Sequence, residues 1–116
     1  MNVLWENATP HASGYREVTA AAVHDVRDRV KLVDVREPHE TSGELGRVEG
    51  AELVPLAGVE AAASGWVREV EIVLICRSGN RSGKAAALLM AMGFQRPLNM
   101  VGGMLAWNDH KFPVVR

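Results

Sequence analysis

The stretch Glu71-Ile72-Val73-Leu74-Ile75-Cys76-Arg77-Ser78-Gly79-Asn80-Arg81-Ser82 decides how the rest of the chain is read. Its apolar, partly β-branched run predicts a central strand over 71–75, buried on both faces. The run stops abruptly at Cys76 and a polar, glycine-containing loop follows. From Ser82 the hydrophobic period changes. Ala85, Leu88, Leu89 and Met92 recur at i, i+3, i+4 and i+7, which predicts a helix over 82–92 with one buried face, closed by Gly93.

The same alternation extends outward in both directions. Lys31-Leu32-Val33-Asp34-Val35 reads as a second buried strand that ends in Arg36-Glu37-Pro38. Upstream, Thr19 is placed to cap a helix running to about residue 29, with Ala22, Val23 and Val26 on one face, and Tyr15-Arg16-Glu17-Val18 reads as a short edge strand. Downstream, a polar stretch over 37–50 is broken by Gly43, Gly46 and Gly50. A strand over 51–55, a weak helix over 56–66, a strand over 98–101, a Gly102-Gly103 turn and a short helix over 104–108 complete the pattern. Strands alternating with helices predict an α/β domain with a parallel sheet and helices on both faces. Residues 1–14 lack periodicity and read as an N-terminal arm anchored by Trp5, leaving 15–116 as the domain.

Composition narrows the function classes. A chain of 116 residues holds one domain and one core. Thirteen Lys and Arg against fourteen Asp and Glu give a formal net charge of -1, which argues against a general nucleic-acid or anionic-membrane partner. A single cysteine excludes an intramolecular disulfide and a multi-cysteine zinc site. His39 beside Glu40 lacks a third ligand, so neither a metal nor another cofactor is expected. The first ten residues carry Asn2, Glu6 and Asn7 without a basic start and apolar run, and no stretch approaches the roughly 20 apolar residues of a membrane span. The expectation is a cytoplasmic domain.

In a parallel α/β sheet, ligands bind beyond the carboxyl ends of the strands. Two such ends carry unusual residues, Asp34-Val35-Arg36-Glu37 and Cys76 to Ser82. A thiol beneath loop amides and a helix N-terminus sits where negative charge is favoured, and Arg77 and Arg81 add two cations. Such surroundings lower a thiol pKa, so Cys76 is the candidate nucleophile, activated by electrostatics without a neighbouring base. A small buried hydrophobe is the competing reading of a lone cysteine, and it does not account for two arginines and a glycine loop. Arg77, Ser78, Gly79, Asn80, Arg81 and Ser82 are candidate substrate-binding residues, with Gly79 supplying a left-handed turn. Arg36 either binds an anionic substrate or pairs with a carboxylate. Asp34 and Glu37 are candidates to orient Arg36 or Arg81.

Cys76 to Ser82 and Asp34 to Glu37, taken with Gly50-Ala51, Val54-Pro55-Leu56, Gly93-Phe94, Gly102-Gly103-Met104 and Trp107, give a pattern that resembles the rhodanese family of sulfurtransferases in its single-domain form, over residues 15–114. The resemblance implies a small domain with a five-stranded parallel sheet and a persulfide mechanism. Cys76 would take sulfur from a small anionic donor such as thiosulfate and pass it to cyanide or a thiol. A second reading within that chemistry is a sulfur-relay module that hands the persulfide sulfur to a partner protein and acts poorly on free thiosulfate. The chain carries Gly46-Arg47-Val48 where family members often have Gly-His, which makes those surroundings more basic. Cysteine-dependent phosphatases resemble this loop less well. They place five residues between cysteine and arginine, whereas four separate Cys76 from Arg81.

Overall fold

Alternation along the central strand sorts the core into two layers. In the computed structural model, which describes residues 2–116, β5 (Glu71–Ile75) is buried at every position. Val73 and Ile75 pack on one side with Val23, Met104 and Trp107. Ile72, Leu74 and Cys76 pack on the other with Val59, Ala85 and Leu89. Cys76 therefore continues the two-residue period of the strand into the layer opposite Trp107. Met1 of the arm lies outside the described residues.

The remaining strands are β1 (Thr9–Pro10), β2 (Arg16–Val18), β3 (Lys31–Asp34), β4 (Glu52–Leu53) and β6 (Arg96–Met100). They form one six-stranded sheet in the order β1-β2-β6-β5-β3-β4. The five strands from β2 onward pair in parallel, as the alternation predicts, and the sixth, β1, pairs antiparallel with β2 at the outer edge. Helices α1 (Ala20–Val26) and α5 (Gly103–Asp109) cover one face, while α3 (Val59–Ala63) and α4 (Asn80–Ala91) cover the other. Register places Asp34 of β3 beside Ile75 and Asn99 of β6 beside Leu74. Three carboxyl ends thus finish level, next to Cys76.

Local chemistry explains where elements start. Thr19 caps α1 as expected, its Oγ1 accepting from the Ala22 amide at 3.1 Å. Helix α4 starts two residues before the expected Ser82, because Gly79 takes φ 107° and turns the chain directly into helical geometry at Asn80. The apolar period could not show this, since the first turn of α4 is polar. Within the polar stretch lies a short helix, α2 (Pro38–Thr41), begun by Pro38, with the Glu37 amide donating to Glu40 Oε1 at 2.9 Å. The weak helix expected over 56–66 divides into a 3₁₀ turn, Leu56–Gly58, and α3.

The arm is fastened from the far end of β5. The Glu71 carboxylate accepts from the amides of Val3, Leu4 and Trp5 at 2.7, 2.7 and 2.6 Å. Leu4, rather than Trp5, is the residue the arm buries. Trp5 lies half-buried under the Arg16 guanidinium, 4.5 Å from its ring. Among the described residues no helix is long and apolar enough to cross a membrane.

Candidate active site

Cys76 stands where β5 ends and the chain begins the turn into α4. The carbonyls at this point face α5. Cys76 O accepts from the Met104 amide at 2.8 Å and Arg77 O from the Leu105 amide at 3.0 Å. Gly103 makes that approach feasible, because a Cβ there would run into Cys76 O and the Arg77 carbonyl. With these carbonyls held by α5, loop amides turn to the sulfur. The Gly79 amide donates to Cys76 Sγ at 3.0 Å, and Ser82 Oγ lies 3.3 Å from Sγ on the first turn of α4. Helix amides in that first turn have no intrahelical acceptor and add positive potential.

These contacts set the thiol's acidity. Burial, the largest single influence, opposes the thiolate, but the Ser82 hydroxyl and the amides of Ser82, Gly79 and Ser78 favour it, and the Cys76 pKa moves below its ordinary value. The Cys76 residue is only 1% exposed. Core side chains including Val33, Val35 and Ala85 share its layer, so approach is from the loop, where Arg77, Ser78 and Asn80 are exposed or partly so.

The two strand ends come together, with a division of labour that differs from the sequence expectation. Arg36 is 1% exposed and its guanidinium is fully engaged. Nε donates to Asp34 Oδ1 at 3.0 Å and Nη2 to Asp34 Oδ2 at 2.8 Å, while Nη2 also reaches Gly46 O at 2.8 Å. Of the two roles open to Arg36, the structure shows the carboxylate pair. Asp34 orients Arg36, and together they brace the 37–46 segment from below. Glu37 is exposed and meets the site through its main chain, with no carboxylate contact to either arginine.

Glu40 does the work assigned to Glu37. It grips the Arg81 guanidinium in a two-bond pair, Nη1 to Oε1 at 2.7 Å and Nη2 to Oε2 at 2.8 Å. The Arg81 hydrogen bond pulls the Glu40 carboxyl down to about 2, and Glu40 in turn raises the pKa of Arg81. Arg81 is thereby fixed as a cation near Cys76. The signal for Glu40 lies in Glu37-Pro38-His39-Glu40, whose spacing starts a helix and puts Glu40 in its first turn.

Asn99 is a second residue that the sequence motifs do not mark. A polar side chain in the strand Arg96–Met100 that is 3% exposed needs partners, and it finds them in the loop. Its Oδ1 accepts from Ser82 Oγ at 2.5 Å, and its Nδ2 donates to Gly79 O and Glu17 Oε2, each at 3.2 Å. Arg47 is exposed, and its main chain pairs with Val115 in an antiparallel bridge. Beside the loop, Arg77, Glu44, Leu45 and Leu105 line a cleft of about 380 Å³. No group of three or more His, Cys, Asp or Glu among the described residues is arranged to hold a metal.

Comparison with known proteins agrees with this geometry. The family model described as the rhodanese-like domain matches residues 19–110. A sulfurtransferase of Allochromatium vinosum is 38% identical over 86 residues, covering 74% of this chain and 78% of that protein. Thiosulfate sulfurtransferase 18 of Arabidopsis thaliana is 34% identical over 87 residues, covering 75% of this chain and 59% of that protein. The crystal structure of a rhodanese-related protein from Thermoplasma volcanium superposes with a TM-score of 0.77 at 27% identity, covering 87% of this chain and 98% of that one.

Proposed function

Because this chain belongs to the rhodanese-like domain family, whose general chemistry is sulfur transfer, we propose that it carries sulfur as a persulfide on Cys76 and takes it from thiosulfate. The observation that supports this reading is the Gly79 amide pointing at Sγ from 3.0 Å, at the mouth of a helix and beside a fixed Arg81. A sulfur so held is a nucleophile near neutral pH without a general base.

The Cys76 thiolate attacks the outer sulfur of thiosulfate. A bond forms between the two sulfurs, the bond to the sulfonate sulfur breaks, and its electron pair leaves with sulfite. The outer sulfur of the resulting persulfide is anionic, and the amides of the 77–82 loop face that charge much as oxyanion-hole donors face oxygen. Cyanide or a thiolate then attacks the outer sulfur, and the bond to Sγ breaks with its pair returning to Cys76. No proton is consumed in either half. Exposed Arg77 and the Arg81 cation attract the anionic donor, whereas Asp34, Arg36 and Glu40 hold the loop that receives it.

Incubation with thiosulfate and cyanide is expected to yield thiocyanate, and intact-protein mass after thiosulfate alone is expected to show one added sulfur on Cys76. The Cys76→Ser variant should show neither. Thiocyanate formation by that variant would remove Cys76 as nucleophile. If only a protein persulfide loads Cys76 and thiosulfate does not, the donor assignment fails in favour of relay between proteins.

A further inference from the structure

Hydrogen-bond accounting behind the sulfur leaves the loop one proton short. Asn99 Nδ2 meets Gly79 O and the Glu17 carboxylate, two groups that accept and cannot donate. That fixes the orientation of the amide and turns Oδ1 toward Ser82 Oγ, 2.5 Å away. An amide oxygen only accepts, and a serine hydroxyl has one proton. With that proton committed to Asn99, Ser82 Oγ offers only lone pairs to Cys76 Sγ, 3.3 Å away. This arrangement suits a thiol, whose S–H can donate to Ser82. It does not suit a thiolate, which needs donors.

We propose that Asn99 is a positioning residue that sets the protonation balance of Cys76 by competing with its sulfur for the Ser82 hydroxyl proton. When Sγ is neutral the hydroxyl points to Asn99 Oδ1. When Sγ is anionic the hydroxyl rotates to it and Asn99 gives up the bond.

Joined to the sulfur-transfer reading, on which its place in the cycle rests, the rotation follows the electron pair on Sγ. Formation of the persulfide bond uses that pair, Sγ becomes neutral, and the hydroxyl returns to Asn99. Attack by the acceptor on the outer sulfur breaks the Sγ–S bond and restores the pair to Sγ. The hydroxyl then turns back and stabilises the departing thiolate. The proton stays on Ser82 throughout, and no oxidant or reductant is required.

A purely structural role for Asn99 predicts the opposite sign. Asn99 also holds Gly79 O, and the Gly79 amide donates to Sγ. If Asn99 merely steadied the loop, its loss would weaken that donor and raise the thiol pKa. If it competes for the hydroxyl proton, its loss frees the proton for sulfur and lowers the pKa. The charged groups around the sulfur and Asn99 are Arg77, Arg81 with Glu40, the Arg36–Asp34 pair, Lys84 on α4, and Glu17 behind Asn99. They remain unchanged in every variant below.

The test is the pH dependence of iodoacetamide alkylation at Cys76 in the full chain, with no sulfur donor present. Asn99→Leu, nearly isosteric, is expected to lower the midpoint by about one pH unit, the size of one hydrogen bond to a charged group. Asn99→Ala, the second variant, should shift it the same way. Ser82→Ala should raise the midpoint, and Asn99→Leu added to Ser82→Ala should change nothing further. A rise or no shift in the Asn99 variants overturns the proposal, as does a fall that persists without the Ser82 hydroxyl. Failure of both Asn99 variants to fold would assign the residue to the fold instead. Alkylation reads no turnover, so a chain that titrates as stated but makes no thiocyanate contradicts the proposed function and leaves this assignment standing.

Discussion

The two ends of β5 solve the same problem with different atoms. At its start, the Glu71 carboxylate receives three main-chain amides, from Val3, Leu4 and Trp5. At its end, Cys76 Sγ receives the Gly79 amide and neighbours Ser82 Oγ. Both are anion cradles made of backbone N–H groups. They differ in where the donors come from and in what the anion can do. Glu71 collects its amides from 66 to 68 residues away, so its cradle closes a long loop and fastens the arm to the sheet. Cys76 collects its donors from its own loop and the next helix turn, so its cradle contributes little to tertiary structure. A carboxylate held this way is inert, whereas sulfur held this way is both anionic and nucleophilic. The comparison teaches that the same donor geometry serves stability at one end and chemistry at the other.

Cys76→Ser tests the chemical half and should have the largest effect of all. Sulfur transfer should fall to background while the thermal midpoint at neutral pH stays within a few degrees, because a local cradle ties no distant segments together. A large fall in melting temperature would mean that the sulfur also supports the fold. Glu71→Ala tests the other half. Hydrogen bonds to a charged group are worth about 1.5–3 kcal/mol each, and their effects on one segment overlap. A loss of about 2–4 kcal/mol in denaturant unfolding is therefore expected, together with release of residues 3–5 seen as rapid amide exchange. Turnover of the molecules still folded should be unchanged. If Glu71→Ala slowed sulfur transfer in fully folded protein, the two ends would be coupled and the division between them would fail.

The same contrast explains what the sequence made legible. The Cys76 cradle is contiguous, so strand, loop and helix could be read together from Ile72 to Met92. Helix faces and strands followed from period alone, as with Val23 and Val26 on α1 or Leu32 and Val33 on β3. Contacts across long separations were not visible. Glu71 read as the polar first residue of a strand, although its acceptors serve an arm at the opposite end of the chain. Glu40 is 41 residues from Arg81 and Asn99 is 17 from Ser82. Their roles depend on the register that brings β3, β5 and β6 level, which residue pattern does not specify. Arg36 shows a different limit. Its spacing from Asp34 fitted both a free anion site and a buried pair, and only burial at 1% exposure separates them.

A smaller effect links the chemical cradle to pH. The folded Cys76 pKa lies below its ordinary value, so the folded state binds the thiol proton less tightly than the unfolded chain does. The resulting stabilisation is complete above the unfolded thiol pKa of about 8.5, and it is lost as pH falls through the folded pKa. Wild-type stability minus that of Cys76→Ser should therefore grow as pH rises across this window and level off above it. A difference that shrank with rising pH would place the cradle's preference on the neutral thiol.

The smallest expected effect belongs to the pair that bridges the site to α2. Glu40 is held at about 2, chiefly by the Arg81 hydrogen bonds. Its side chain is 21% exposed and that of Arg81 is 34% exposed, so solvent screens much of their attraction. Glu40→Gln should cost about 1 kcal/mol or less at neutral pH. The folded pKa of Glu40 is depressed, so its contribution is present above the unfolded value of about 4.3 and disappears as pH falls toward about 2. Acid unfolding curves of wild type and Glu40→Gln should therefore converge at low pH. The kinetic consequence is more informative. The substituted amide retains an oxygen for Arg81 but no charge, so Arg81 gains mobility while remaining a cation, and the KM for thiosulfate should change more than kcat. A fall in kcat at unchanged KM would show instead that the position of Arg81 matters chiefly in the transition state, which would make the Glu40 pair part of the chemical cradle and no longer its frame.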